Sequence, residues 1–93
     1  MATSMKVEDM LDGANNFRVW KHRITGILEE HDLQDYVEQD ILEPEGVEEK
    51  TKFRKERDKV RRIFTESIKD NLIPYISELK TPKEIFDALA RLI

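Results

Sequence analysis

Between Phe17 and Leu28, Phe17, Trp20, Ile24, Ile27 and Leu28 recur at spacings of three, four, three and one. That is the period of a helix with a single apolar face, and it fits no strand. Arg18, Lys21, His22 and Arg23 fall away from the centre of the face. Asn15 or Asn16 stands where an N-cap is needed, because an Asn side chain accepts from the free amides of a first turn. The helix is expected to end near His31. Gly26 lowers its helix propensity by about 1 kcal/mol relative to Ala, and its bare backbone suits the close approach of another helix.

Further on, Asp32 is placed to cap a short second helix with Leu33, Tyr36 and Val37 turned inward. The period is lost from Gln39 to Gly46, where Pro44 and Gly46 mark a loop. Val47 to about Lys69 reads as the longest helix, with Phe53, Val60, Ile63, Phe64 and Ile68 on its apolar arc. Asp70-Asn71 favours a break, and Pro74 would cost about 3 kcal/mol deep inside a helix, so the helix stops before it. Leu72 to Ile76 reads as a short turn or helix start. Thr81-Pro82-Lys83-Glu84 is a helix start: Thr81 at the N-cap, Pro82 at the first position, and Glu84 reaching back to the Thr81 amide. Ile85, Phe86, Leu89, Leu92 and Ile93 continue as an apolar stripe. No Gly or Asn closes this helix, which predicts a chain cut from something longer or a last helix packed on a partner. Met1 to Leu11 has no period, although Met5, Val7, Met10 and Leu11 are apolar, and Asp12-Gly13-Ala14 is a turn signal. The expected division is an amino-terminal arm over residues 1–14 and one helical domain over residues 15–93. The fold class is all-α, a small bundle of about four to five helices.

Charge changes this picture by being segregated. Glu29 to Glu49 carries ten acidic residues and no Lys or Arg, whereas Lys50 to Arg62 carries eight basic residues against Glu56 and Asp58. An acidic block followed by a basic one favours pairing with a complementary surface, in the same chain or on another copy. Lys50, Arg54, Arg57 and Arg61 recur every three or four residues and form a basic stripe on one flank of the long helix. Lys55, Lys59 and Arg62 lie on the other flank. At 93 residues, with a charged fraction of 39% equal to the hydrophobic fraction, the chain is expected to be one domain or part of one rather than a disordered tail. No apolar run approaches the roughly 20 residues of a membrane span, and the first residues do not form a secretory signal. The absence of Cys removes disulfides, thiolate metal sites and a cysteine nucleophile.

Little in the residues points to chemistry. His22 and His31 are nine apart and do not share a helix face, so they make no zinc pair. Glu29, Glu30 and Asp32 beside His31 read as a solvated helix end, without the pattern of a calcium loop. Ser4, Ser67 and Ser77 with two His residues suggest no triad, and the three Gly residues form no phosphate loop. No enzyme activity and no cofactor are expected. The basic stripe is dense enough to touch phosphates, but no outward aromatic residue interleaves it and the domain is net acidic. Trp20, Phe17, Phe53, Phe64 and Phe86 all fall on apolar stripes and read as core, with Trp20 expected to pack against Phe64 or Phe86.

Two runs carry a family resemblance. The first is Leu11-x-Gly13-x-x-Asn16-Phe17-x-x-Trp20-Lys21. The second is Thr81-Pro82-Lys83-Glu84-Ile85-Phe86-Asp87-Ala88-Leu89, preceded by Ile68 and Leu72 at the end of a charged helix. In this order, from about Met5 to the end, the chain resembles the amino-terminal part of the Gag polyprotein of copia-type long-terminal-repeat retrotransposons, most like those of plants. The resemblance implies a capsid-type helical domain that polymerises into virus-like particles in the cytoplasm. The implied partners are other copies, the rest of the Gag chain, and element RNA bound through a region outside this sequence, with no membrane. Two alternatives stand beside it. One is a host-retained Gag-like adaptor that grips a partner helix in a groove lined by Trp20 and the last helix. The other is a nucleic-acid-binding helical domain using Lys50, Arg54, Arg57 and Arg61.

Overall fold

The computed structural model describes residues 9–92, with the side chain of Leu92 left out. The expectations for Met5, Val7, Ile93 and the Leu92 side chain lie outside the described residues. Four α-helices follow one another: α1 (Phe17–Glu30), α2 (Asp35–Glu38), α3 (Val47–Glu66) and α4 (Pro82–Leu92). A 3-10 turn (Ala14–Asn16) leads into α1, and a 3-10 helix (Asp70–Tyr75) joins α3 to α4. The fold is all-α. Its β-type pairing among the described residues is a single parallel bridge between Leu11 and Ile68.

The core is built from the stripes the period marks. Trp20, Ile24 and Leu28 of α1 are buried, with Phe17 and Ile27 partly so. Val60, Ile63 and Phe64 of α3 pack with them, Ile85 and Leu89 of α4 close the layer, and Phe53 is buried apart from this cluster, against Tyr36. Trp20 is fully buried. It lies against both aromatic residues expected for it, 6.1 Å from Phe64 and stacked at 6.4 Å on Phe86. Its indole Nε1 donates to the Ser67 carbonyl at 2.9 Å. The same carbonyl accepts the Leu11 amide at 2.9 Å, and the Lys69 amide donates to the Leu11 carbonyl at 3.0 Å. Leu11 is thus pinned into the core with no exposed surface.

This clasp explains why α3 ends at Glu66 rather than at Lys69 as the period suggested. Ser67 takes φ −105° and ψ 3°, and Lys69 is extended. Ile68 keeps its place in the core but off the helix, paired with Leu11. The Ser67 hydroxyl, the one buried polar side chain among the described residues, donates to the Phe64 carbonyl at 3.0 Å. The Phe64 and Ser67 carbonyls at the helix end are therefore satisfied within the chain.

Other helix ends also differ from expectation. Asn16 occupies the N-cap position of α1 but makes no side-chain cap bond. Its amide instead bridges the preceding turn: Oδ1 accepts the Asp12 amide at 3.1 Å and Nδ2 donates to the Met10 carbonyl at 2.8 Å. Asp32 does not cap α2, which starts after Gln34. It terminates α1 in the left-handed region at φ 58°. There the Leu33 amide bonds the Leu28 carbonyl at 2.8 Å and the Asp32 amide bonds that of Glu29 at 3.1 Å. Leu28 and Leu33 are both buried, completing the apolar contact that accompanies such a stop. Gly26 is not a point of close approach within the chain: it is exposed, and an added Cβ would meet nothing within 4 Å. The start of α4 is as expected, with Thr81 and Glu84 exchanging amide bonds of 3.1 Å each way.

Trp20→Ala removes the ring at the centre of this core and should cost about 3–5 kcal/mol. That is a large share of the roughly 5–15 kcal/mol that stabilises a typical domain. Trp20→Phe keeps an apolar ring and loses the indole donor, for a smaller loss of about 1–2 kcal/mol. Urea denaturation followed by far-ultraviolet circular dichroism checks both values and their order.

Candidate interaction site

The residues of the two signature runs converge on one side of the bundle. Trp20 stacks on Phe86, Phe17 lies 5.9 Å from Trp20, and the Lys21 ammonium sits 5.8 Å from the centre of the Phe86 ring. Lys83 and Asp87, one turn apart on α4, form an ion pair at 2.8 Å. Thr81 and Glu84 fix the start of that helix, and Leu89 is fully buried. Leu11, Ile68 and Leu72 are buried in the same core as Trp20. Gly13 has open space around it, so packing places no demand on that position.

A groove of about 380 Å³ opens where α1, α2 and α4 meet. Ile24, Leu28, Val37 and Phe86 give it apolar walls, while Lys21 and Lys83 stand among its polar lining. The Gln34 Oε1 in its wall is buried without a hydrogen-bond partner. Trp20 does not line this groove, contrary to the expectation for an adaptor. It is wholly covered, and Phe86 forms the aromatic wall instead.

The basic stripe of α3 is engaged by carboxylates of the same chain. Glu43, in the loop before α3, contacts Arg54 Nε at 3.2 Å and Lys50 Nζ at 3.9 Å. The Arg54 NH2 group donates to the second Glu43 oxygen at 3.3 Å, making the pair bidentate. Arg57 contacts Asp58 at 3.4 Å and lies 5.8 Å from the centre of the Phe53 ring. Arg61 is 4.0 Å from Asp58 and donates to the Leu79 carbonyl at 3.4 Å. The complementarity of the acidic and basic blocks is thus spent partly within the chain. On the other flank Lys59 meets the His31 Nδ1 at 3.3 Å. The Arg54 guanidinium, accepted as a hydrogen-bond partner by Glu43, holds the Glu43 carboxyl below its ordinary value. Burial and a 2.8 Å bond to Glu56 push the Tyr36 phenol up to about 12.

Some surface features were not legible as sites. Leu42 and Val47 are 87% and 82% exposed at the amino-terminal end of α3, and Val19 is 56% exposed on the outer face of α1. The lost period from Gln39 to Gly46 was the only signal for Leu42. Val19 stands outside the α1 stripe and could have been read as an unburied apolar position. Among the described residues no group of three or more His, Asp or Glu is placed to hold a metal ion, and no helix is long and apolar enough to cross a membrane. No known protein family, no curated protein and no solved structure matches this chain.

The depressed Glu43 pKa gives a titration with a definite sign. Its contribution to stability is present above the ordinary Glu range and lost as pH falls through the lowered folded value. The Glu43 side-chain carbonyl, followed by NMR, should titrate below the free-glutamate value and move up in Arg54→Ala. An unchanged midpoint in that variant would show that the pair does not form in solution.

Proposed function

We propose that this chain is a structural self-assembly module, the amino-terminal lobe of a copia-type Gag capsid that builds virus-like particles in the cytoplasm. The observation that carries the reading is the meeting of two signature runs about sixty residues apart in the chain. Trp20 and Lys21 from the first lie against Phe86 from the second. Residues that resemble a family signature thereby have a shared physical task, which is to hold α1 on α4. The all-α fold suits such a role. On this reading the chain contacts other copies and the rest of Gag, and element RNA is held elsewhere.

The groove between α1, α2 and α4 favours a second reading, a host-retained adaptor that binds an amphipathic helix against Ile24, Leu28, Val37 and Phe86. Phosphate binding by Lys50, Arg54, Arg57 and Arg61 is the weakest reading, because Glu43 and Asp58 compete for these cations.

Sedimentation and light scattering from ~10 μM to ~1 mM distinguish the first two, the range in which weak interfaces show themselves. A monomer that associates weakly and reversibly as concentration rises is expected. Large stable particles from these 93 residues would contradict a lobe that needs the rest of its chain. A protein monomeric throughout, yet binding an amphipathic helical peptide in the groove, would replace assembly with the adaptor.

A further inference from the structure

The outer face of α1 and the loop before α3 are complementary in two respects. From Phe17 to Leu28 the helix carries Arg18, Lys21, Arg23 and His22 and no acid. Arg23 reaches Asp9 at 3.8 Å. Arg18 and Lys21 make no ion pair among the described residues. Val19, His22, Arg23 and Gly26 lie on one side of the helix by their spacing of three and four. Val19 is largely exposed there, and Gly26 leaves open space where a side chain would stand. Among the described residues nothing fills that space, although glycine weakens the helix at this position.

From Asp40 to Glu49 the sequence carries five acids and no cation. Glu43 is committed to Arg54 and Lys50, and this pairing holds the loop against the first turns of α3. Glu45, Glu48 and Glu49 make no ion pair among the described residues. Leu42 and Val47, the two most exposed large apolar residues described, stand among these acids. The tip is therefore acidic with an apolar centre, and the α1 face is basic with an apolar centre and a bare backbone beside it.

We propose that the Leu42–Val47 tip of one copy docks on the Val19–Gly26 face of another. The inference rests on the assembly reading and names the surfaces it would use. Leu42 and Val47 would cover Val19 and the open backbone at Gly26, while Glu45, Glu48 and Glu49 meet Arg18, Arg23 and His22. The contact joins two different surfaces of the same chain, so each copy both gives a tip and receives one. Such a contact propagates into a ring or an open array instead of stopping at a symmetric pair. One helix face against one loop buries less than the roughly 1,200 Å² of a stable complex. Single contacts are accordingly weak and salt-sensitive, and gain strength by repetition.

The test uses two double variants at exposed positions, with circular dichroism confirming that both stay folded. Leu42→Asp with Val47→Asp disables the tip, and Arg18→Glu with Val19→Asp disables the face. By sedimentation velocity, each alone should associate at least about tenfold more weakly than the parent chain. Mixed in equal amounts, they should form a dimer and nothing larger, since one intact tip and one intact face remain. Parent-like association of either variant, or a mixture that stays monomeric, overturns the docking while leaving assembly through other surfaces standing. A parent chain that does not associate at all overturns both.

Discussion

One backbone carbonyl holds three parts of this protein together. Ser67 ends α3, and its oxygen accepts both the Leu11 amide and the Trp20 indole. A buried carbonyl has two lone pairs and is costly to leave unmet. Here both are used, one by the segment that precedes α1 and one by α1 itself. The consequence is geometric. The indole that reaches Ser67 is stacked on Phe86 and lies beside Phe64, so the hydrogen bond and the aromatic cluster hold the same ring. The register of α1 against α3 and α4 follows from that coincidence.

The surfaces inherit their arrangement from the core. With Trp20, Ile24 and Leu28 turned inward, Arg18, Val19, His22 and Arg23 must face solvent. With Phe53 and Val60 buried, Lys50 and Arg54 are brought beside the preceding loop, where Glu43 meets them. Exposed pairs of this kind contribute little stability. Their effect is to order a loop that has no helical period of its own, and that loop presents Leu42. Stability and surface presentation are therefore divided between different residues.

Helices were legible where a stripe and a cap coincided. The spacing of Phe17, Trp20, Ile24 and Leu28 and the Thr81–Glu84 box rest on local geometry, which a sequence states directly. What escaped depended on partners distant in the chain. Ile68 continues the α3 period, so nothing local shows that Ser67 leaves the helix to bind Leu11. Asn16 is a good cap by type, but its amide is taken by Met10 and Asp12. Asp32 reads as the start of α2 and serves as the end of α1, because Leu33 has to fold back onto Leu28. The candidate site was legible as a set of residues and not as a shape: Phe86 and Lys21 were marked, whereas the groove beside them needed α2.

The clasp itself is tested most directly by hydrogen exchange. If the Ser67 carbonyl organises the bundle, the Trp20 indole proton and the Leu11 amide exchange only with global unfolding, at the same rate as the slowest amides of α1 and α3. An indole proton that exchanges rapidly while those helical amides stay protected would contradict this. The core would then hold without the bond on which the account depends.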